Sequence, residues 1–266
     1  MIDITRLEQR LNLQEETCKI IRYMGEYDRC FGDNNTMWGT INNSFKHWEK
    51  RGLALNSYEY LKYQNVSILS NREIFFPEEN TLNDKDCYFV LLFICNYICD
   101  MIITESDEEI SIRVKTIFQN ITSIMEKSNY QLKFLEDRII ACKRDANVDS
   151  VIQLTGDKSL TELLLSYLDM TIHDDVNEKA HILMQLFKYV EKDKVIYINA
   201  DNKLKSSVFA LYNKLEIRHN DKKQIELLDK DKLKWYDILF QLTLHLVRVP
   251  YIKEMQNEVK ELTNNK

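Results

Sequence analysis

The segment Val208-Phe-Ala-Leu-Tyr-Asn-Lys-Leu-Glu-Ile-Arg-His-Asn-Asp221 joins a helical stripe to a compact polar cluster. Its apolar residues recur at helical spacing, which predicts an amphipathic helix over about Leu204–Ile217. Arg218, His219 and Asn220 follow directly and form the polar cluster. The rest of the C-terminal half repeats the same apolar spacing, so we place this segment at the centre of a helical bundle.

Few residues in the chain interrupt helices. Of 266 residues only five are Gly and two are Pro, whereas 44% are hydrophobic and 29% are charged. Gly and Pro usually punctuate strands and turns, so their scarcity favours long helices with short connections. Helices of the C-terminal half are predicted over Val148–Leu154, Ser159–Asp169, Val176–Glu191, about Leu204–Ile217 and Asp231–Arg248, with a last helix after Pro250. The predicted fold class is all-α, an antiparallel helical bundle.

Turn and capping residues separate these predicted helices. Gly156 and Asp157 mark a turn, and Ser159 has the position of the first residue in a capping box. Asp174 or Asp175 begins the following helix in the same manner. These signals define where the helices of the bundle reverse direction.

An aromatic stripe is the clearest feature near the N-terminus. Trp38, Ile41, Phe45 and Trp48 lie three or four residues apart on one predicted helical face. Such a stripe can stack on nucleic-acid bases when basic residues are interleaved with it, and here they are not. We therefore interpret it as part of the hydrophobic core.

The longest apolar run extends from Tyr88 to Ile103. It is too short and too polar to cross a bilayer unaided, because Asn96 and Asp100 lie inside it. We predict a buried core helix with Asp84 or Asp86 as its N-cap, and no membrane partner.

The segment Tyr130–Cys142 fits two structures. As a helix it presents one apolar face, and as a hairpin it alternates, turns at Leu135-Glu-Asp137 and continues into two β-branched isoleucines. The hairpin is favoured, so the all-α fold is expected to contain one small β-hairpin near the middle. It separates an N-terminal helical region, residues 1–128, from a C-terminal helical domain, residues 129–266.

Charge and cysteine usage limit the classes of function. The net charge of −6 argues against a broad nucleic-acid scaffold and is compatible with a local basic patch. The six cysteines form no Cys-x-x-Cys pair, and several occupy apolar helical positions. The N-terminus has no basic region followed by an apolar run. We expect a reduced, cytoplasmic protein without disulfides, zinc or another cofactor.

The polar cluster at the end of the predicted helix is the best candidate site. Asn220 and Asp221 are typical helix-ending residues, and a chain that leaves the helix there would free Arg218 and His219 to converge. A guanidinium holds phosphate by paired hydrogen bonds, and an imidazole transfers protons near neutral pH. Together they suit metal-independent cleavage of RNA. The alternative is structural, because a cation at a helix C-terminus is stabilised by the helix dipole.

Asp237 is a candidate orienting partner for His219, and the alternative is an ordinary polar residue in the first turn of a helix. His173-Asp174-Asp175 fits either a cation site or a helix cap. Packing or surface roles are expected for His47, His181 and His245. The sequence contains no Gly-rich phosphate loop, no Gly-x-Ser-x-Gly elbow and no His-Glu-x-x-His motif, so the common nucleotide hydrolases, esterases and zinc proteases find no support.

The C-terminal half resembles a known group of bacterial proteins. Leu211–Asp221, followed by Lys234–Asp237 and an apolar helix, is similar to the C-terminal region of abortive-infection-related proteins. Leu163–Leu168 and Asp174–Leu183 extend this similarity, which covers roughly residues 130 to 260. Proteins of this group pair a variable N-terminal region with a HEPN-like helical domain.

The resemblance implies a helical bundle that is often dimeric and, in many relatives, a metal-independent ribonuclease of phage defence or toxin–antitoxin systems. It implies an RNA substrate, and the site residues that we propose for it from their side-chain chemistry are Arg218 and His219, with Asn220 and Asp237 as helpers. The usual signature is an Arg followed four to six residues later by His, whereas Arg218 and His219 are adjacent. Two functions therefore stay open. One is an anti-phage endoribonuclease, and the other is a non-catalytic module that dimerises or recognises a phage or host protein.

Overall fold

The computed structural model describes residues 12–27, 36–64, 66, 82–102, 108–192, 194–215, 217 and 227–264. Most of these residues are helical, and one small antiparallel hairpin lies near the middle of the chain. The predicted fold class is thereby confirmed. The chain divides into two compact units, Met1–Ala141 and Cys142–Lys266. The sequence placed a division before the hairpin, at residues 128 and 129, whereas this one falls within its second strand.

Short polar caps and apolar faces build the N-terminal unit. Its described helices are α1 (Leu13–Gly25), α2 (Met37–Ser44), α3 (Ser57–Tyr63), α4 (Asp84–Tyr97) and α5 (Glu108–Lys127). Two 3-10 turns, Phe45–His47 and Glu49–Arg51, follow α2, and the π-helical turn Ile98–Ile102 continues α4. The strands of the hairpin are β1 (Tyr130–Leu135) and β2 (Arg138–Lys143). The side chain of the residue before each of the first four helices accepts a hydrogen bond from a first-turn backbone N–H group.

The aromatic stripe lies in the core of this unit, as its spacing predicted. Trp38, Ile41, Phe45 and Trp48 are all buried. Trp48 meets Phe45 edge to face with 5.8 Å between the ring centroids. The indole N–H of Trp48 donates to Oδ2 of Asp100 at 2.8 Å. The ring is therefore buried without leaving its N–H group unsatisfied.

Helix α4 is the buried helix that the apolar run predicted. Its fully buried side chains include Cys87, Leu91, Ile94 and Cys95. The N-cap is Asn83, so the prediction of Asp84 or Asp86 was wrong. Asn83 has the extended backbone that a cap requires, and its Oδ1 accepts from the Asp86 N–H at 2.9 Å. Asp84 and Asp86 lie in the first turn, where their charges suit the helix dipole.

Asn96 explains the polar interruption in that apolar run. Its Oδ1 accepts from the backbone N–H of Ile139 at 2.7 Å, and its Nδ2 donates to the Ile139 carbonyl at 2.9 Å. The side chain therefore pairs with β2 as the backbone of another strand would. The two-residue turn of the hairpin lies at Glu136 and Asp137, and Glu136 adopts a positive φ of 50°. The hairpin alternative for this segment is confirmed.

We expect Asn96→Leu to loosen β2. The substitution leaves the N–H and C=O of buried Ile139 without their partner, at about 1–3 kcal/mol for each group. Amide hydrogen exchange should accelerate at Ile139, and urea unfolding should show the lost stability. The control is Asn120→Leu, because Asn120 is exposed on α5. Equal exchange at Ile139 in both variants would contradict this role of Asn96.

Amphipathic helices form the C-terminal unit. They are α6 (Ala146–Thr155), α7 (Lys158–Leu168), α8 (Val176–Lys192), α9 (Lys194–Lys214) and α10 (Asp229–Asn264). The 3-10 turn Met170–Ile172 follows α7. Their apolar faces share one hydrophobic cluster, to which α10 contributes Tyr236, Leu239, Phe240, Leu244, Leu246 and Val247. The bundle is therefore organised by burial of these faces.

The helix starts of this unit partly follow the sequence signals. Gly156 adopts the left-handed conformation, with a φ of 58°, and ends α6. Asp157 is the N-cap of α7, and its Oδ1 accepts from the Leu160 N–H at 3.1 Å. The capping box predicted at Ser159 was wrong, because Ser159 already lies within the helix. Asp175 caps α8, which decides between the two predicted aspartates.

Two long helices differ from the predicted pattern. Helix α9 is interrupted at Asp201, whose φ of −153° is not helical. The Asp201 carboxylate caps a second segment by accepting from the Leu204 N–H at 2.9 Å, close to the start predicted at Leu204. Helix α10 continues through Pro250, although a new helix was predicted there. Proline removes one backbone hydrogen bond, and the remaining bonds of this long helix carry it through.

Candidate functional site

The polar cluster singled out by the sequence, Arg218, His219 and Asn220, lies outside the described residues. The chain on both sides of it belongs to the C-terminal unit. Ile217, which directly precedes Arg218, is 6% exposed and belongs to the hydrophobic cluster. Leu227 packs against the same cluster on the other side. The core therefore fixes both ends of the segment that carries these side chains.

Asp237, the fourth predicted site residue, is described and has two polar partners. Its Oδ1 accepts from the ammonium of Lys179 at 2.9 Å and from the hydroxyl of Tyr167 at 2.9 Å. The Asp237 side chain is 53% exposed, whereas that of Lys179 is 4% exposed. A half-exposed carboxylate thus neutralises a buried cation. Its predicted partnership with His219 stays a prediction.

Lys179 lies on the apolar face of α8, between positions that are otherwise hydrophobic. Its ammonium lies 4.7 Å from the centre of the Tyr167 ring, which is a cation–π distance. The Tyr167 ring in turn stacks on Phe240 with 4.0 Å between the centroids. Contacts from α7 and α10 therefore hold the buried ammonium in a fixed position.

Tyr167 acts in this cluster as a hydrogen-bond donor. Burial of the phenol, and then the negative charge of Asp237, raise the pKa of Tyr167 well above its usual range. The hydroxyl consequently stays protonated at physiological pH. Asp237 is thereby supplied with one neutral and one cationic donor on the same oxygen.

Lys179, Tyr167 and Asp237 line a cleft of about 210 Å³ within the C-terminal unit. We call it the cation-lined cleft, and its lining residues are Lys143, Arg144, Asp145, Tyr167, Leu168, His173, Lys179, Asp237, Phe240 and Gln241. Three of these side chains are cationic, two are carboxylates and one is an imidazole. The lining thus carries charges of both signs.

Asp145 connects two helices beside this cleft. Its Oδ1 accepts from two backbone N–H groups at the start of α6, at 2.8 and 3.3 Å. Its Oδ2 accepts from Nε2 of Gln241 on α10 at 2.5 Å. The Gln241 side chain also accepts from Asn147 at 2.9 Å. This carboxylate is therefore committed to capping α6 and joining it to α10.

The other sequence candidates divide between structural and surface positions. Asp175 caps α8, and His173 lines the cation-lined cleft. The remaining histidines of the described chain, His47, His181 and His245, are exposed. No group of three His, Cys, Asp or Glu side chains among the described residues is arranged to hold a metal ion. In the same residues, no helix has the length and apolarity needed to span a membrane.

Lys179 and Tyr167 were missed by motif analysis because neither belongs to a recognisable motif. A signal was nevertheless present. Lys179 stands three and four residues before Ile182 and Leu183, so it occupies the apolar face of α8. A charged residue in such a position needs a partner inside the fold.

Comparison with known proteins assigns no family. No protein-family model matches the chain, and no curated protein or solved structure matches it significantly.

We expect Asp237→Asn to destabilise the protein more than Lys179→Met. The first change leaves a buried ammonium without its counter-ion, at about 1–3 kcal/mol after allowance for the exposure of Asp237. The second removes the buried charge and leaves a carboxylate that water can reach. The free energy of unfolding in urea measures both. A larger loss for Lys179→Met would show that the ion pair is not the stabilising element.

Proposed function

We propose that this protein acts in bacterial anti-phage defence of the abortive-infection type and that its C-terminal unit is a metal-independent endoribonuclease of the bacterial cytoplasm. One observation carries the proposal. The segment with Arg218, His219 and Asn220 is attached at both ends, through Ile217 and Leu227, to the hydrophobic cluster of the bundle. Catalytic side chains commonly stand on such connections, where a rigid core positions them.

The chemistry follows from the side chains in this segment. His219 would take the proton of a ribose 2′-hydroxyl, whose oxygen attacks the adjacent phosphorus while the bond to the 5′ oxygen breaks. The leaving 5′ oxygen takes up a proton from water, and His219 later returns its own proton to solvent. Arg218 would stabilise the charge that develops on the phosphate oxygens. Asn220 and Asp237 are proposed to assist by hydrogen bonding. The products are a 2′,3′-cyclic phosphate and a 5′-hydroxyl, and no cofactor is needed.

We expect Arg218→Ala and His219→Ala to abolish growth arrest during phage infection and to reduce RNA cleavage at least a hundredfold, because each removes a group that acts in the transition state. Plaque counts and the cleavage of a labelled RNA by purified protein measure the two effects. His245→Ala is the matched control, since His245 is an exposed histidine of the same unit.

Two results would rule out the ribonuclease. One is full defence by both variants, and the other is the absence of cleavage by the wild-type protein under conditions that give defence. In either case the C-terminal unit would act by binding.

A second function, self-association as an interaction module, is favoured by the end of α10. Residues 253–264 are all exposed, and Met255, Val259 and Leu262 form an apolar stripe at heptad spacing. Apolar residues at this spacing on an exposed helix form the seam along which two helices pack in a coiled coil. A second copy of the chain, aligned along the same stripe, would provide the second helix and form a homodimer. A phage or host protein is the alternative partner.

We expect Val259→Lys with Leu262→Lys to shift the protein from dimer to monomer, because the substitutions place charges in the middle of the stripe. Light scattering after size-exclusion chromatography gives the mass of each form. Lys260→Gln is the control, since Lys260 lies beside the stripe on the same exposed helix. A wild-type protein that is monomeric at every concentration would exclude the homodimer.

A further inference from the structure

The apolar stripe near the end of α10 begins one turn before Met255. Ile252 is half-buried on the same side of the helix, three residues before Met255. We call the four residues of this side the terminal stripe, and they are Ile252, Met255, Val259 and Leu262. Their spacing alternates between three and four residues, which is the repeat of a coiled coil.

The order of side chains in the terminal stripe is typical of two parallel helices. Ile252 and Val259 are β-branched and occupy the first core position of each repeat, whereas Met255 and Leu262 are unbranched at Cβ and occupy the second. In parallel coiled coils, β-branched residues at the first position and leucine at the second favour two strands. Met255 replaces one leucine, and its flexible thioether side chain fills such core positions readily.

The charged residues beside the stripe are sorted by sign. Successive residues of a helix differ by about 100° around its axis. This rotation places lysines on one flank of the stripe and glutamates on the other. The lysines are Lys253 and Lys260, and the glutamates are Glu254, Glu258 and Glu261. All five side chains are exposed, and Lys253 keeps its charge because its only printed acceptor, the Asn199 carbonyl at 3.2 Å, is neutral.

These flanks distinguish the two possible directions of a partner helix. When two identical helices pack in parallel, the lysine flank of each faces the glutamate flank of the other. In an antiparallel pair each flank meets its own counterpart, so lysine faces lysine and glutamate faces glutamate. We infer that the terminal stripe pairs with the same stripe of a second copy of this chain, with the two α10 helices parallel.

Burial of the stripe drives this association, and the flanks set its direction. Exposed ion pairs are individually weak, so loss of one lysine charge changes the affinity little. A lipid surface fits the segment less well, because helices that lie on anionic membranes carry mainly Lys and Arg on the polar face. Residues 253–264 contain three glutamates and two lysines.

Disulfide formation in the full chain measures the direction of the helices. In a parallel pair the two copies of position 262 lie side by side, so Leu262→Cys should form an intermolecular disulfide under mild oxidation. In an antiparallel pair position 262 lies beside position 252 of the partner, about 15 Å from the other position 262. Electrophoresis without reductant gives the cross-linked fraction, and mass spectrometry identifies the linked peptides. Wild type treated in the same way gives the background of the native cysteines.

Asn257→Cys is the matched control. Asn257 is exposed on the side of α10 opposite the terminal stripe, so its cross-linking should not exceed the wild-type background. A mixture of Ile252→Cys and Leu262→Cys proteins tests the antiparallel pair, since only that arrangement brings these two positions together.

A second measurement uses charge. Lys253→Glu combined with Lys260→Glu makes both flanks acidic, which should weaken a parallel dimer about tenfold in sedimentation equilibrium. In an antiparallel dimer the same change exchanges one like-charged contact for another, so the dissociation constant would stay the same.

A parallel pair requires the self-association proposed for the end of α10, and it does not depend on ribonuclease activity. Cross-linking between two copies of position 262, far above that of Asn257→Cys, supports it. A disulfide between positions 252 and 262 overturns the parallel direction and leaves self-association intact. Equal cross-linking of Leu262→Cys and Asn257→Cys overturns the terminal stripe as the contact. If the wild type is then also monomeric by light scattering, self-association itself is excluded.

Discussion

The C-terminal unit depends on burial of the apolar face of α10. Residues from Tyr236 to Val247 fill the centre of the hydrophobic cluster, where α10 contacts α6, α8 and α9. Each buried aliphatic or aromatic side chain in such a core contributes roughly 1.5–3 kcal/mol relative to its exposed state. Packing of this face also fixes the polar side chains that lie at its edge. Asp237 and Gln241 stand beside the buried positions, so their places in the cleft follow from the packing of the helix.

The buried ion pair is a costly element in that packing. An ammonium inside a helical bundle must be compensated in full, and Lys179 obtains compensation from Asp237 and from the face of Tyr167. An apolar residue at position 179 would serve the core at least as well. Lysine at this position instead holds the Asp237 carboxylate and the Tyr167 ring in one fixed cluster.

Apolar spacing was sufficient to predict most of the fold, because the helices are long, amphipathic and rarely interrupted. It failed at Pro250, where one lost hydrogen bond did not end a long helix, and at the N-caps of α4 and α7, where several polar residues compete within one turn. The cleft could not be predicted from the sequence. Lys143, His173 and Asp237 are far apart along the chain, and only packing of β2, α7 and α10 brings them together.

RNA binding by the C-terminal unit is the central proposal for this protein. Ultraviolet crosslinking of labelled RNA to the full chain, followed by mass spectrometry of the crosslinked peptides, tests it most directly. Crosslinks are expected at peptides that contain the segment from Arg218 to Asn220. Crosslinks confined to residues 1–141, or none above the level of a denatured control, would contradict it.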